Sequence, residues 1–510
     1  MDVVLTADRP LTEAELVAVA RDGAPVGLSD VCLDRLAAAR AHVDALAAAT
    51  VPAYGISTGF GALATRAIPI ELRSQLQRSL VRSHAASSGD EVETEVVRGM
   101  TLLRLQTLAT GRTGVRPATA QAYCDLLNAG LTPVVREYGS LGCSGDLAPL
   151  AHVALAVMGE GDVRRGTAVL PAADALAEAG LHPVVLAEKE GLALINGTDG
   201  MHAMLMLACH DLDRLLRTAD LTAAMSLEAL LGTDRPLAAE LMALRPHPGQ
   251  AVAAANMRRL LDGSPLLASH AGPDDPRVPD AYALRCAPQV AGAARDTLTH
   301  ARLVAAREAA AAIDNPVLLP DGRIESNGNF HGAPVAYVLD CLAIVAADLA
   351  SISERRTDRM LDAHRSHGLP AFLAHDPGVD SGLMIAQYTQ AGLVSELKRL
   401  AVPASVDSIP SSAMQEDHVS MGWGAARKLR RSLDGLGRVL AIELLAAGRA
   451  LDLREVPPAT ATAAAVAALR ITVHGPGPDR YLSPEIEAAV ALVHSGAVLT
   501  AAETVTGALE

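Results

Sequence analysis

Three consecutive residues, Cys143, Ser144 and Gly145, could form an electrophile from the polypeptide backbone itself. If the amide nitrogen of Gly145 attacks the carbonyl carbon of Cys143, a five-membered ring closes. Loss of two waters, one of them from the side chain of Ser144, then leaves a conjugated methylidene group. Glycine suits the attacking position because it has no Cβ and tolerates the backbone geometry of a tight cyclisation. The tripeptide can therefore supply an electrophilic ring whose exposed methylene comes from serine.

The same tripeptide also fits an ordinary turn. Small residues are common beside glycine in turns, and Ser144 or Asp146 could cap a helix from Leu147 to Met158. Short motifs often occur by chance, so the tripeptide alone favours the turn. A serine hydrolase is a poor alternative, because Asp146 stands where a Gly-x-Ser-x-Gly motif requires its second glycine.

Two other kinds of site find little support in the sequence. The glycine-rich segment Thr110–Gly114 lacks the Gly-Lys-Ser/Thr ending of a phosphate-binding loop. No His-Glu-x-x-His motif is present, and neither the 16 histidines nor the 6 cysteines have metal-ligand spacing. We therefore expect no metal site.

Composition and charge restrict the class of protein. The chain has 510 residues, and its formal net charge of −15 argues against a nucleic-acid surface, which needs a basic face. The N-terminus has no signal-peptide pattern, and no continuous apolar run reaches the ~18 residues of a membrane span. We expect a soluble, cytoplasmic protein with reduced cysteines and no membrane partner.

Shorter helices and shaped loops are predicted in the first 200 residues. A strand is expected at Val3–Leu5, and a loop rich in glycine at 51–61 carries Tyr54. A hairpin is expected at 159–170, and a polar loop at 190–199 carries Asn196. The apolar periodicity predicts helices at 33–49, 70–87, 91–110 and 117–129.

Beyond residue 200 the chain favours long helices rich in alanine and leucine. They are predicted at about 200–232, 289–313, 332–365, 382–402 and 411–449, with a terminal helix from Pro484. The expected fold is mainly α with a few short strands: an N-terminal domain at 1–199 that carries the Cys-Ser-Gly loop, and a long-helix bundle at 200–510. Alanine-rich helical faces also favour packing between subunits, so we expect a homo-oligomer.

Each polar candidate residue also has an ordinary structural interpretation. Tyr54 in a glycine-rich loop could pack its ring as structure. His84, near a helix end, could satisfy the last carbonyl groups of that helix. Asn196, which precedes Gly197, could be a turn residue.

Separated segments across nearly the whole chain resemble the aromatic amino acid ammonia-lyase and aminomutase family, and within it the histidine branch. The segment Gly-Ser-Leu-Gly-Cys-Ser-Gly-Asp-Leu-Ala-Pro-Leu-Ala-His is similar to the family signature, although the family usually has alanine where this chain has Cys143. The other matching segments carry Tyr54, His84, Asn196, Tyr282, Arg285, Phe330 and Glu416. The resemblance implies that Cys143, Ser144 and Gly145 form 4-methylidene-imidazole-5-one autocatalytically, with no dissociable cofactor.

The resemblance also implies a reaction: L-histidine loses its amine without oxidation, giving urocanate and ammonia. The substrate amine, or its ring carbon in an alternative scheme, would add to the methylidene. Tyr54 would remove a β-proton, and Tyr282 would support proton transfer. Arg285 would clamp the carboxylate with two hydrogen bonds. Helix N-termini would stabilise negative charge on the ring oxygen.

The remaining residues would bind the substrate, and two of them favour an imidazole. Asn196 would hold the ring or the substrate, and Phe330 belongs to the binding set. His84 and Glu416 accompany an imidazole substrate in the family. Imidazole nitrogens need polar partners, because a buried unpaired polar group costs about 1–3 kcal/mol.

One departure from the family keeps alternatives open. Pro279 stands where the family usually has glutamine, and proline offers no side-chain amide. The alternatives are a histidine 2,3-aminomutase, a lyase of altered aromatic amino acid specificity in secondary metabolism, and a non-catalytic helical scaffold. The family further suggests a homotetramer whose active sites are shared between subunits.

Overall fold

A computed structural model describes residues 2–49, 53–59, 61–63, 65–272 and 280–510. Pro279, the departure noted above, lies outside these residues. Helix accounts for 59% of the chain and strand for 7%, which confirms the predicted mainly α fold with a few short strands.

Short helices alternate with small sheets before residue 200. The helices are α1 Glu13–Arg21, α2 Asp30–Ala48, α3 Arg73–His84, α4 Thr94–Ala109, α5 Pro117–Asn128, α6 Leu147–Val157, α7 Ala172–Glu178 and α8 Glu190–Ala193. The strands are β1 Val3–Leu5, β2 Val26–Leu28, β3 Ser88–Glu91, β4 Thr132–Pro133, β5 Arg136–Tyr138, β6 Asp162–Arg165 and β7 Ala168–Pro171. β1 pairs with β2 in parallel, β3 with β5 antiparallel, and β6 lies between β4 and β7, each antiparallel to it.

Helices dominate after residue 199. They are α9 Asp199–Ala229, α10 Ala239–Ala243, α11 Pro248–Leu260, α12 Pro265–Ala268, α13 Tyr282–Arg285, α14 Ala287–Ala309, α15 Ala333–Leu361, α16 Met384–Leu400, α17 Gly422–Asp452, α18 Thr460–Arg470, α19 Ser483–Ser495 and α20 Ala497–Thr506. A two-stranded antiparallel sheet joins β8 Val317–Leu318 and β9 Ile324–Glu325.

Most predicted elements are present with modest shifts at their ends. The strand at Val3–Leu5 and the hairpin of β6 and β7 are confirmed. Helix α2 begins after Ser29, whose hydroxyl accepts the amide of Cys32 as an N-cap. The terminal helix is broken at Gly496, which adopts the left-handed backbone conformation typical of a helix C-terminus.

The predicted helix at 411–449 is wrong over its first turns. Ser412, Ala413 and Met414 adopt left-handed backbone conformations, and Met421 does so just before α17. These conformations are incompatible with a right-handed helix. The segment is a loop instead, and it carries Glu416.

The contacts of the chain divide it into two units. The first comprises Met1–Ala208, Ala301–Asp340 and Pro403–Arg427, and the second comprises Cys209–His300, Cys341–Val402 and Lys428–Glu510. The predicted domain division after residue 199 stays a prediction.

Each unit has its own buried core. In the first unit, α4 is buried along its length from Val96 to Ala109. In the second, the fully buried carboxylate of Glu443 accepts hydrogen bonds from the hydroxyls of Thr222, Ser226 and Ser353 and from the guanidinium of Arg356. This buried charge is stable because it is both paired and hydrogen-bonded.

One helix of the described residues, α15, is long and apolar enough to cross a membrane. Of its most apolar stretch, 61% is buried inside the fold. Core helices of globular proteins have the same properties.

Candidate active site

The Cys143-Ser144-Gly145 loop is held by close backbone contacts that only glycine permits. Gly145 has φ +76° and forms a bridge with Gly197, and a Cβ at position 145 would lie 2.1 Å from the carbonyl oxygen of Gly197. Gly142 has φ +68°, and a Cβ there would lie 2.2 Å from Ser420 Oγ. The two glycines flank Cys143 and Ser144, so the loop is tightly constrained.

Asp146 lies at the N-terminus of α6 but caps a different helix. Its carboxylate makes no capping bond to α6. Instead it accepts the backbone amide of Met201, in the first turn of α9, at 2.8 Å and the hydroxyl of Ser140 at 2.8 Å. Complete burial raises the pKa of Asp146 to about 7, although these hydrogen bonds oppose the shift. The carboxyl group thus ties the start of α9 to the reactive loop.

Asn196 lies beside the loop with one polar atom available. Its Nδ2 donates to the carbonyl of Asn315 at 2.8 Å. The following residue, Gly197, accepts the amide of Asp146 at 2.7 Å. Asn196 Oδ1 is buried and has no hydrogen-bond partner within the residues that the structure describes. A buried acceptor of this kind suits a ligand that donates a hydrogen bond.

The loop before α17 brings Glu416 to the reactive residues. Burial raises the pKa of the Cys143 thiol to about 12, and the nearby Glu416 carboxylate adds to this shift. Ser411 Oγ donates to Glu416 at 3.1 Å. Further along, Ser420 Oγ donates to the carbonyl of Gly142 at 3.0 Å. The loop before α17 therefore positions Glu416 and also holds the Cys-Ser-Gly segment through a hydrogen bond to Gly142.

His84 is close enough to Glu416 for their charges to interact. Burial lowers the pKa of His84, while the nearby carbonyl of Leu80 and the charge of Glu416 oppose this shift. His84 Nδ1 lies 2.9 Å from the Leu80 carbonyl. Because a carbonyl only accepts, Nδ1 carries the proton and Nε2 of the neutral ring is an acceptor. His84 thus satisfies a carbonyl group near the end of its helix through Nδ1, and its Nε2 is left for a ligand.

Tyr54 lies in the glycine-rich loop, half-buried. Its hydroxyl accepts the amide of Gly61 at 3.3 Å. A Cβ at Gly61 would lie 3.5 Å from Ser412 Oγ, so the loops that carry Tyr54 and Glu416 adjoin each other. The phenol oxygen thus has a polar partner, the Gly61 amide, within its own loop.

Phe330 lies half-buried in a turn three residues before α15. The neighbouring imidazole of His331 stacks on that of His418, with ring centroids 5.6 Å apart, and His418 follows Glu416 by two residues. A Cβ at Gly332 would lie 2.9 Å from Ser420 Oγ. These contacts bring the backbone of this segment to the Glu416 loop.

Tyr282 and Arg285 form a pair in the second unit. The guanidinium carbon of Arg285 lies 4.6 Å from the centre of the Tyr282 ring, a cation–π distance. Tyr282 is 70% exposed, whereas Arg285 Nε is buried and has no partner among the described residues. Among the described residues, Arg285 Nε therefore remains available to a ligand.

The residues present fit a methylidene-imidazolone group. The close approach of Gly197 leaves room only for glycine at position 145. Asn196 Oδ1 is a buried acceptor with no partner among the described residues. Helices α6 and α9 both begin next to the loop, so their N-terminal amides and dipoles favour negative charge there. The environment suits a ring that gains electron density during a reaction.

Several positioning residues have no local sequence signal. Gly197, Ser420 and Asn315 act through contacts with residues that lie 50 or more positions away, which a linear pattern does not show. Asp146 could have been found, because a carboxylate directly follows the reactive tripeptide.

The fold and this site define a class of protein. The family model described as aromatic amino acid lyase matches residues 11–471, and the chain belongs to that family. It is accordingly a carbon–nitrogen lyase. It is 66% identical over 513 residues to histidine ammonia-lyase of Streptomyces avermitilis, and the match covers 100% of both chains.

Two solved structures show the same fold at lower identity. The tyrosine aminomutase of Streptomyces globisporus has a TM-score of 0.94 and 37% identity, with 100% of both chains covered. Histidine ammonia-lyase of Trypanosoma cruzi has a TM-score of 0.91 and 38% identity, covering 99% of this chain and 96% of the other. The fold is thus shared by lyases and aminomutases.

Proposed function

We propose that this chain is a histidine ammonia-lyase that converts L-histidine into urocanate and ammonia. The observation that carries the proposal is the position of His84 and Glu416 near Cys143, the first residue of the glycine-constrained tripeptide. The 66% identity to a histidine ammonia-lyase over the full chain supports the same reaction.

The prosthetic group would arise from Cys143, Ser144 and Gly145. The Gly145 nitrogen bonds to the Cys143 carbonyl carbon, and two waters leave, one with the Ser144 hydroxyl. Once formed, the ring supplies an electrophilic methylene for the substrate. No dissociable cofactor is needed, because the electrophile is part of the chain.

His84 and Glu416 would select an imidazole over a phenyl ring. His84 Nε2 and the Glu416 carboxylate are both hydrogen-bond acceptors, so together they suit an imidazolium ring, which has two N–H donors. A phenyl ring has no such donors. It would give neither of these half-buried acceptors a hydrogen-bond partner from the substrate.

The remaining roles concern the amino acid portion of the substrate. Tyr54 would remove the β-proton as a phenolate, and Tyr282 would assist proton transfer. Arg285 would bind the carboxylate through two parallel hydrogen bonds. Asn196 Oδ1 would accept a hydrogen bond from the substrate amine, and Phe330 would line the substrate's binding site.

We further propose a cytoplasmic homotetramer with shared active sites. Large apolar side chains that include Ile344, Ile385 and Tyr388 are 48–62% exposed on α15 and α16 of the second unit. Side chains of this kind would be covered if α15 and α16 packed against another copy of the chain. The similarity to histidine ammonia-lyases supports an enzyme of histidine breakdown.

The direct test adds L-histidine to the purified protein and follows urocanate by its ultraviolet absorbance. The Ser144→Ala variant, which cannot form the methylidene, is the matched control and should produce none. Appearance of β-histidine in the NMR spectrum instead of urocanate would indicate the aminomutase. No turnover of histidine by the wild type would reject both.

A further inference from the structure

Arg104 is a fully buried arginine whose guanidinium contacts the backbone of Asn196 and that of a second segment, at Ile313. It lies on α4 with 0% exposure. Its Nη1 donates to the carbonyl of Asn196 at 2.8 Å, and its Nη2 donates to the carbonyl of Ile313 at 2.8 Å. One rigid group therefore joins two segments that lie far apart in the chain.

Both of these segments fix the carboxamide of Asn196. The first contains Asn196 itself. The second, two residues after Ile313, contains Asn315, whose carbonyl accepts Asn196 Nδ2 at 2.8 Å. Because Nδ2 is held there, Oδ1 is left as the buried acceptor without a partner in the described part of the chain. The orientation of the carboxamide thus depends on where Arg104 holds the two carbonyl groups.

Arg104 also contacts the residue that adjoins the reactive tripeptide. A Cβ at Gly197 would lie 2.6 Å from Arg104 Nη1 and 2.4 Å from Asp199 Oδ2, so Gly197 packs against this charged pair. Arg104 Nε lies 3.5 Å from Asp199 Oδ2. On its other side, Gly197 bridges Gly145 and accepts the amide of Asp146. The position of Gly145 therefore follows that of the guanidinium.

Lysine could not replace this geometry. A guanidinium presents several N–H donors in a fixed plane, whereas an ammonium is a compact point charge on a flexible stem. Two carbonyl groups on different segments need the planar arrangement. A substitution to lysine keeps the charge beside Asp199 and removes the fixed spacing.

The same helix contains a matched arginine that does not reach the site. Arg98, six residues earlier on α4, is 7% exposed and also donates to two backbone carbonyls, those of Val19 and Leu127. A purely structural role would make the two arginines equivalent. Only Arg104 binds segments that hold Asn196 and Gly197.

We propose that Arg104 is a positioning residue that sets Asn196 and Gly197 for both ring formation and turnover. The part of this inference that concerns turnover rests on the proposed function. The part that concerns ring formation can be measured without any substrate. Arg104 would act through Asn196 and Gly197, not by touching the substrate.

The experiment compares Arg104→Lys with Arg98→Lys in the full-length protein. Peptide mass across positions 143–145 gives the fraction of chains that have lost two waters, and thermal unfolding gives stability. Kinetics with L-histidine give kcat per cyclised chain and KM. We expect similar unfolding temperatures for the two variants, but a loss of cyclised chains in Arg104→Lys alone. Displacing a group by about 1 Å can cost about 100-fold, so kcat per cyclised chain should fall by about that factor.

The outcomes separate the two proposals. A loss in either quantity beyond that of Arg98→Lys supports the inference, and equal values for both variants overturn it. If Arg104→Lys does not fold, Arg104→Gln takes its place and is compared with Arg98→Gln, because a carboxamide cannot span the two carbonyl groups that the guanidinium joins. Equal cyclised fractions and kcat for these two variants would then overturn the inference. Wild-type protein that is fully cyclised but inactive on histidine would reject the proposed function and leave the ring-formation test intact.

Discussion

Gly145 is the residue on which the reactive tripeptide depends most strictly. Its left-handed φ of +76° and the 2.1 Å approach of Gly197 to a Cβ both exclude larger side chains. The sequence shows that residues 143–145 could cyclise, because the atoms of the ring belong to adjacent residues, and the resemblance to the family is what predicts that they do. The sequence could not predict the contact with Gly197, because that contact joins residues that lie far apart in the chain.

We predict that Gly145→Ala abolishes ring formation and lowers stability. The new methyl group would overlap the Gly197 carbonyl, and the strained backbone adds about 1–3 kcal/mol. The control is Gly166→Ala, at φ +60° with no atom within 4 Å of the added Cβ, which has the backbone strain without the overlap. Denaturant unfolding should show a larger loss for Gly145→Ala. Equal losses, with the two waters still lost at 143–145, would contradict the argument.

Glu416 should distinguish an imidazole substrate from a phenyl substrate. We predict that Glu416→Gln lowers kcat/KM for L-histidine more than for L-phenylalanine. The carboxylate accepts hydrogen bonds through both oxygens, whereas the amide replaces one acceptor by a donor. Steady-state kinetics on both substrates measure the difference. An equal loss on the two would refute the imidazole assignment.

At the scale of elements, long-range contacts determine the conformation of segments whose local sequence pattern predicts the wrong structure. The apolar periodicity predicts α9, α14, α15 and α16 to within a few residues, because each buries a continuous stripe. It fails at 411–421, where left-handed residues form the Glu416 loop. Their conformation is maintained by contacts such as Ser420 with Gly142, which no local pattern contains.

The link between the reactive loop and α9 gives a prediction about pH. Burial raises the pKa of Asp146 from 3.8 to about 7, so the folded state binds more protons than the unfolded state between these values. Stability that this group contributes at low pH is therefore lost as the pH rises through that window. Asp146→Asn keeps an acceptor for Met201 and can donate to Ser140 Oγ. We expect its unfolding temperature to fall less steeply between pH 5 and about pH 7.

Thermal unfolding at several pH values tests this expectation. The control is Asp174→Asn, at an exposed carboxylate in the first turn of α7, which should leave the slope unchanged. A slope for Asp146→Asn identical to that of the wild type would show that the carboxyl group is not titrating in this range.

At the scale of the whole molecule, the exposed Tyr282 favours sites shared between subunits. Tyr282 is 70% exposed beside Arg285, which fits the proposal that another subunit completes the site. We predict that Tyr54→Phe and Arg285→Met are each nearly inactive alone, and that their co-expression restores part of the activity. Mixed tetramers would then contain some sites with both native residues. Urocanate production by the purified mixture measures this, and a mixture as inactive as its components would place both residues in one subunit.

The central claim is that mature protein carries a ring made from Cys143, Ser144 and Gly145. The most direct measurement is the mass of the peptide that spans these residues, taken from protein that turns over L-histidine. We predict a mass lower by two waters than the sequence requires, and the full mass in the Ser144→Ala variant. An uncyclised peptide of full mass in the active wild-type protein would contradict the claim.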